Sequence, residues 1–206
     1  MAAAIPLAKD LNDMPALAVA LFFAAYLAHI QGNCAEVERS ALNLVELSTR
    51  QNFAVWLPIG AILRGWARSA AGDTDEGLAG IEGGIAECRA TESLLVLPYF
   101  LALKAEALHL ADRTSEALDA IREAETLAEA SEARWRCAEL HRLRGVFLAA
   151  LGAEESQIEA SFCKAIRIAK EQKSVSMQKR AEVTCTEYIR QKANASGGHV
   201  FRLSLW

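Results

Sequence analysis

A chain of 206 residues, 52% of them hydrophobic, can bury a sizeable core without metal or disulfide staples. Its net charge of −4 argues against a general electrostatic attraction to nucleic acid or to anionic membrane surfaces. Five cysteines (Cys34, Cys88, Cys137, Cys163 and Cys185), odd in number and without a CxxC spacing, read better as buried free thiols of a cytoplasmic protein than as a disulfide framework or a zinc site.

Only 4 Pro and 12 Gly interrupt a chain dominated by Ala, Leu, Glu and Arg, and no alternating runs of β-branched residues support strands. The fold class is therefore all-α. Residues 1–13 read as an N-terminal extension. The first helix, over 14–31, contains the run ALAVALFFAAYLAHIQG (Ala16–Gly32). Its apolar part is too short to span a bilayer, and Asp10 and Asp13 stand where a signal peptide carries positive charge.

That run also carries the first marks of a repeat. Gly32, Gly72, Asp112 and Gly152 are turn residues forty positions apart, and seven residues before each stands a small one: Ala25, Gly65, Ala105 and Gly145. About twelve residues beyond each turn come Leu44, Gly84, Ala124 and Ala165, the last displaced by the extra residue in GAEES. The pattern predicts helical pairs. First helices run over 14–31, 56–71, 97–111 and 135–151; second helices over 34–51, 74–91, 114–131 and 155–172. Small residues in mid-helix let two backbones approach closely. The Gly or Asp ends the first helix, and Asp, Thr or Ser nearby caps the second. A ninth helix over 175–192, rich in Lys, Arg, Gln and Glu, closes the array, and residues 193–206, with Gly197 and Gly198, form a flexible tail that either stays free or docks on a neighbour. The domain plan is thus 1–13, 14–192 and 193–206.

The spacing resembles tetratricopeptide repeats in a long-helix form. The residues are most similar to the C-terminal repeat region of bacterial multidomain signalling proteins, in which a class III adenylate/guanylate cyclase domain and a STAND-type ATPase precede helical repeats. The segments that carry this are Ala20–Leu27 (ALFFAAYL), Ile62–Ala67 (ILRGWA), Leu97–Leu103 (LPYFLAL) with Ala105–Leu108 (AEAL), Ala138–Gly145 (AELHRLRG), and Ala160–Gln172 (ASFCKAIRIAKEQ) with Ser174. The resemblance implies a right-handed α-solenoid of about four hairpins plus a capping helix, acting as a protein-interaction module. The catalytic parts of such proteins lie upstream and have no counterpart here: there is no GxxxxGK[ST] loop, and the glycines of Gly77–Gly84 (GLAGIEGG) sit inside a helix pattern.

No nucleophile–base or HExxH pattern appears, so no enzyme and no cofactor are expected. Cys137 and His141 share a helix face, but two ligands do not make a metal site, and packing is the better reading of the thiol. In the implied solenoid the first helices line a concave groove. The residues placed there are Tyr26, His29, Trp66, Tyr99, Glu106, His109, Glu139 and Arg142, with aromatic anchors for an extended or helical peptide. Trp66 and Tyr99 fit the groove and the core equally well; Phe22 fits the core better. Lys and Asn that would grip a terminal carboxylate are missing, with Ile62, Trp66, Ala102 and Glu106 in their places. Trp56 and Trp135 read as wedges between units. The run Arg134, Arg136, Arg142, Arg144, interleaved with Glu132 and Glu139, reads as a solvated face with i,i+3 or i,i+4 pairs.

The leading expectation is a non-catalytic scaffold or sensor that binds a peptide or partner domain. The alternative is a regulatory fragment of a cyclase–ATPase signalling protein, and a third reading is a small-molecule-binding helical domain. The apolar first hairpin points to a homo-oligomer. Neither nucleic acid nor membrane is an expected partner.

Overall fold

The computed structural model describes residues 3–91, 95–131, 134–194 and 201–206. Among them there are ten α-helices, one 3-10 turn (Arg134–Arg136) and no strand. The helices are α1 (Ala4–Asp10), α2 (Met14–Ile30), α3 (Cys34–Gln51), α4 (Trp56–Ala70), α5 (Thr74–Ala90), α6 (Leu97–Leu110), α7 (Thr114–Ala130), α8 (Cys137–Ala150), α9 (Glu155–Glu171) and α10 (Val175–Asn194). None of the described helices is long and apolar enough to cross a membrane. The chain forms two compact units, Met1–Leu94 with Trp206, and Leu95–Leu205.

One turn recurs throughout. Gly32, Gly72, Asp112 and Gly152 have φ of +68°, +104°, +58° and +65°. The amide of the next residue donates to the carbonyl five positions back: Asn33 to Ala28, Asp73 to Arg68, Arg113 to Leu108 and Ala153 to Leu148. This is the Schellman closure, in which a left-handed residue lets the freed carbonyls of a helix end be satisfied. Asn12 (φ +52°) and Lys173 (φ +54°) close α1 and α9 in the same way, through Asp13 to Ala8 and Ser174 to Ala169. Residues 1–13, expected as an extension, thus contain a helix that packs on α2. The start of α2 is capped by Asp13, whose Oδ1 accepts from the Ala16 amide at 2.9 Å, and Asn33 does the same for α3 through Glu36.

In the first unit α2 pairs with α3 and α4 with α5, and α4 packs on both helices of the preceding pair. Trp56, at the head of α4, reaches Phe22 of α2 with ring centroids 5.9 Å apart. At the α4–α5 crossing the two backbones come into contact. A Cβ built on Gly65 would lie 2.5 Å from the Gly77 carbonyl oxygen, so each helix needs a hydrogen atom at that point. In the second unit α6 pairs with α7, α8 with α9, and α10 packs on both α8 and α9. Ala105 is fully buried, and Gly145 admits the Phe162 ring, which a Cβ would meet at 2.6 Å. Leu44, Ala124 and Ala165, the positions past each turn, are also fully buried.

Adjacent glycines in α5 have opposite environments. Gly83 is exposed, with nothing near its missing Cβ, whereas a Cβ on Gly84 would sit 2.7 Å from the Pro58 carbonyl oxygen and against Ile62. Gly83→Ala should stabilise the protein by about 1 kcal/mol, the ordinary helix preference of Ala over Gly. Gly84→Ala should destabilise it by about 1–3 kcal/mol through overpacking. Urea unfolding at pH 7 measures both, and equal signs would contradict the α4–α5 packing.

Candidate functional site

The most concentrated polar chemistry lies in the second unit, on the face that α8 and α10 form. Glu139 and Arg142 stand three residues apart in α8 and share a helix face. The guanidinium grips the carboxylate with two bonds, Nε to Oε2 at 3.0 Å and Nη2 to Oε1 at 2.7 Å. Both side chains are almost completely buried. Arg180 of α10 approaches the same carboxylate, its Nε 3.2 Å from Oε1. Burial alone would raise the pKa of Glu139, but Arg142, Arg180 and Arg136 together hold it far below the ordinary carboxylate range. Glu106, buried on α6, adds its field to Arg180.

These cations have donors to spare, and the donors face polypeptide. Arg142 Nη2 donates to the Leu205 carbonyl at 2.6 Å and Nη1 to the Ser204 carbonyl at 3.3 Å; Nη1 also reaches Thr184 Oγ1 at 3.3 Å. Arg180 Nη2 donates to the same Leu205 carbonyl at 2.6 Å. One turn or more along α10, Gln191 pairs with the main chain of Arg202 in both directions. Its Nε2 donates to the carbonyl at 2.9 Å and its Oε1 accepts from the amide at 3.0 Å. Phe201 packs on Tyr188, centroids 5.0 Å apart, and Leu203 and Leu205 are buried. Of the tail over 193–206, expected either to stay free or to dock on a neighbour, the described part Phe201–Leu205 lies against α8 and α10.

The other residues singled out from the sequence are placed as follows. In the second unit Tyr99 is fully buried beneath the Arg136 guanidinium, 5.1 Å from its ring centroid, and beside Trp135 at 6.1 Å. His109 packs against Phe147 and its Nδ1 lies 2.9 Å from Thr114 Oγ1; burial lowers its pKa despite Asp112 and Glu106, which keeps it neutral near pH 7. In the first unit His29 meets the fully buried Trp66 edge-on at 4.6 Å, and Trp206 packs on Trp66 at 5.5 Å. The Trp206 indole also lies where a Cβ of Gly32 would stand. Tyr26 is half-buried beside Phe23.

Of the run expected as a solvated face, Arg134 is exposed, Glu139 and Arg142 form the expected i,i+3 pair, and Glu132 lies outside the described residues; Arg136 and Arg142 depart from it. Arg136 and Arg142 are 2% and 1% exposed, because α8 is buried on most of its circumference. Arg144 reaches across to Glu125 of α7 at 2.9 Å. His141 also pairs with Glu125, Nδ1 to Oε1 at 2.7 Å, and burial, with Glu129, pushes the Cys137 thiol up. Among the described residues no three His, Cys, Asp or Glu side chains are placed to hold a metal. Sequence reasoning missed Arg180, Thr184, Tyr188 and Gln191. Their spacing of four, four and three puts them on one face of α10, and the apolar alternation of Phe201, Leu203 and Leu205 was the matching signal in the tail.

The described residues thus define an all-helical, repeat-like protein that carries one of its own segments on the helices of its second unit. No family model matches the chain. Over 126 residues, 61% of its length, it is 27% identical to an uncharacterized protein of Rhizobium meliloti (strain 1021). The match spans 12% of that protein's length.

Glu139 ties the site to pH. Its folded pKa lies below the ordinary 4.5, so its contribution to stability is present above that value and is lost as pH falls below it. Glu139→Gln should cost about 3–5 kcal/mol at neutral pH by leaving guanidinium groups uncompensated, and should flatten the acid limb. Urea midpoints at pH 7 and at pH 3 for both proteins check this; a variant that keeps the wild-type acid dependence would contradict it.

Proposed function

We propose that the chain is a non-catalytic, cytoplasmic interaction module, a right-handed α-solenoid of the tetratricopeptide type, that binds a protein segment in its groove without a cofactor. The recurrent Schellman-closed hairpins and the small residues at their crossings support the fold. The observation that carries the function is the engagement of main-chain groups of Arg202, Ser204 and Leu205 by Gln191, Arg142 and Arg180. Side chains that pair with another segment's backbone are the means by which an extended peptide is held. Panning a displayed library of random peptides on the full chain tests the reading. Binders should emerge whose hydrogen-exchange footprint falls on α8 and α10, and Arg180→Ala should weaken them at least tenfold. A library that yields no such binder would remove the reading.

The second reading is a regulatory part of a larger signalling protein. It is favoured by the relative in which the matched stretch is a small part of a much longer chain.

Self-association through the first hairpin belongs to the same proposal. Val19, Phe23 and Leu27 form a stripe on α2 at i, i+4 and i+8, each more than two-fifths exposed. Sedimentation should show a concentration-dependent dimer that Phe23→Glu with Leu27→Glu converts to monomer. A monomeric wild type at high concentration would exclude it.

A further inference from the structure

We propose that Phe201–Leu205 is a resident stand-in for the partner. It occupies the α8–α10 face in competition with a polypeptide segment of the same chemistry, an extended stretch with apolar side chains at every second position. This rests on the reading of that face as a peptide site.

Burial along the segment alternates. Phe201 is half-buried, Arg202 exposed, Leu203 buried, Ser204 exposed and Leu205 buried. A two-residue period belongs to extended backbone, with one edge of side chains turned toward the protein. The hydrogen bonds that Gln191, Arg142 and Arg180 make to the segment end on main-chain atoms. The face therefore reads a backbone plus apolar groups at alternate positions, and the identities at 202 and 204 enter little. Any segment with that pattern presents the same features.

The segment is also suited to be displaced. Two buried leucines, a half-buried Phe and the bonds to Gln191, Arg142 and Arg180 offset the ordering of five residues, and an incoming segment of the same pattern makes the same contacts. Against such a segment the resident one keeps the advantage of proximity. A covalently attached segment competes at a high effective concentration, which sets a threshold that a partner must exceed. Once the segment is out, the donors of Arg142 and Arg180 no longer face the Ser204 and Leu205 carbonyls, and an incoming backbone replaces them directly.

The test uses the full chain. A fluorescein-labelled peptide of sequence FRLSL, capped at its other end, is titrated against wild type and against Leu203→Ser with Leu205→Ser, with anisotropy as the readout. The double variant should bind at least tenfold more tightly than wild type, and neither should bind the reordered peptide FLLRS. In parallel, saturating FRLSL should abolish the exchange protection of the Arg202 amide in wild type, a measurement independent of how the variant folds. Equal affinities, or an Arg202 amide still protected under saturating peptide, would overturn the proposal. Library binders that footprint on α8 and α10, lack the alternating pattern and leave Arg202 protected would overturn it too while leaving the peptide-site reading intact.

Discussion

Everything in this chain depends on how closely two helices can approach where they cross. A hairpin of two helices, each 14 to 18 residues long, has too little apolar surface to bury by itself, and it becomes stable only against its neighbours. The small residue seven positions before each turn sets that approach, and the left-handed turn residue sets the direction in which the chain returns. At Gly65 and Gly77 the two backbones meet so tightly that a methyl group has no place to go. The corresponding positions of the second unit are Ala105, fully buried, and Gly145, against which the Phe162 ring is laid. Once these contacts are fixed, side chains in successive helices of a unit fall at predictable positions.

The buried charge of the second unit is a consequence of that register. Glu139, Arg142 and Arg180 are brought together by α8 and α10, away from water. A carboxylate shared among guanidinium groups is costly to bury and is tolerated only where the remaining donors find partners. Here those partners are the carbonyls of Ser204 and Leu205. The cluster and the segment on it therefore form a single electrostatic arrangement, and neither is satisfied in the same way without the other.

Much of the helical framework was legible because it is punctuated. A Gly or Asp at forty-residue intervals marks each hairpin turn, and observed helix limits follow it within a residue or two. Helix α1 was not legible: it is seven residues long and closes on Asn12, a less conspicuous turn residue than Gly. At the candidate site, Glu139 and Arg142 were reached because the repeat period locates one face of each first helix. Arg180, Thr184 and Gln191 were not. A helix rich in Lys, Arg, Gln and Glu looks like a solvated closing helix unless its partner segment is known. That partner breaks the repeat and follows Gly197 and Gly198, so periodicity said nothing about it. Nor can a period separate a groove-lining aromatic from a core one, as the fully buried Trp66 and Tyr99 make plain.

Gly32 unites two demands that act on one missing atom. Its backbone needs the left-handed conformation to turn α2 into α3, and the space beside its α-carbon is filled by the Trp206 indole. A residue almost at the other extreme of the polypeptide thus constrains what position 32 can become. Were Trp206 removed, an asparagine could replace the glycine with little backbone penalty; while the indole stays, even alanine is shut out. The freedom of the first hairpin to vary in sequence is accordingly set by a side chain encoded 174 codons later.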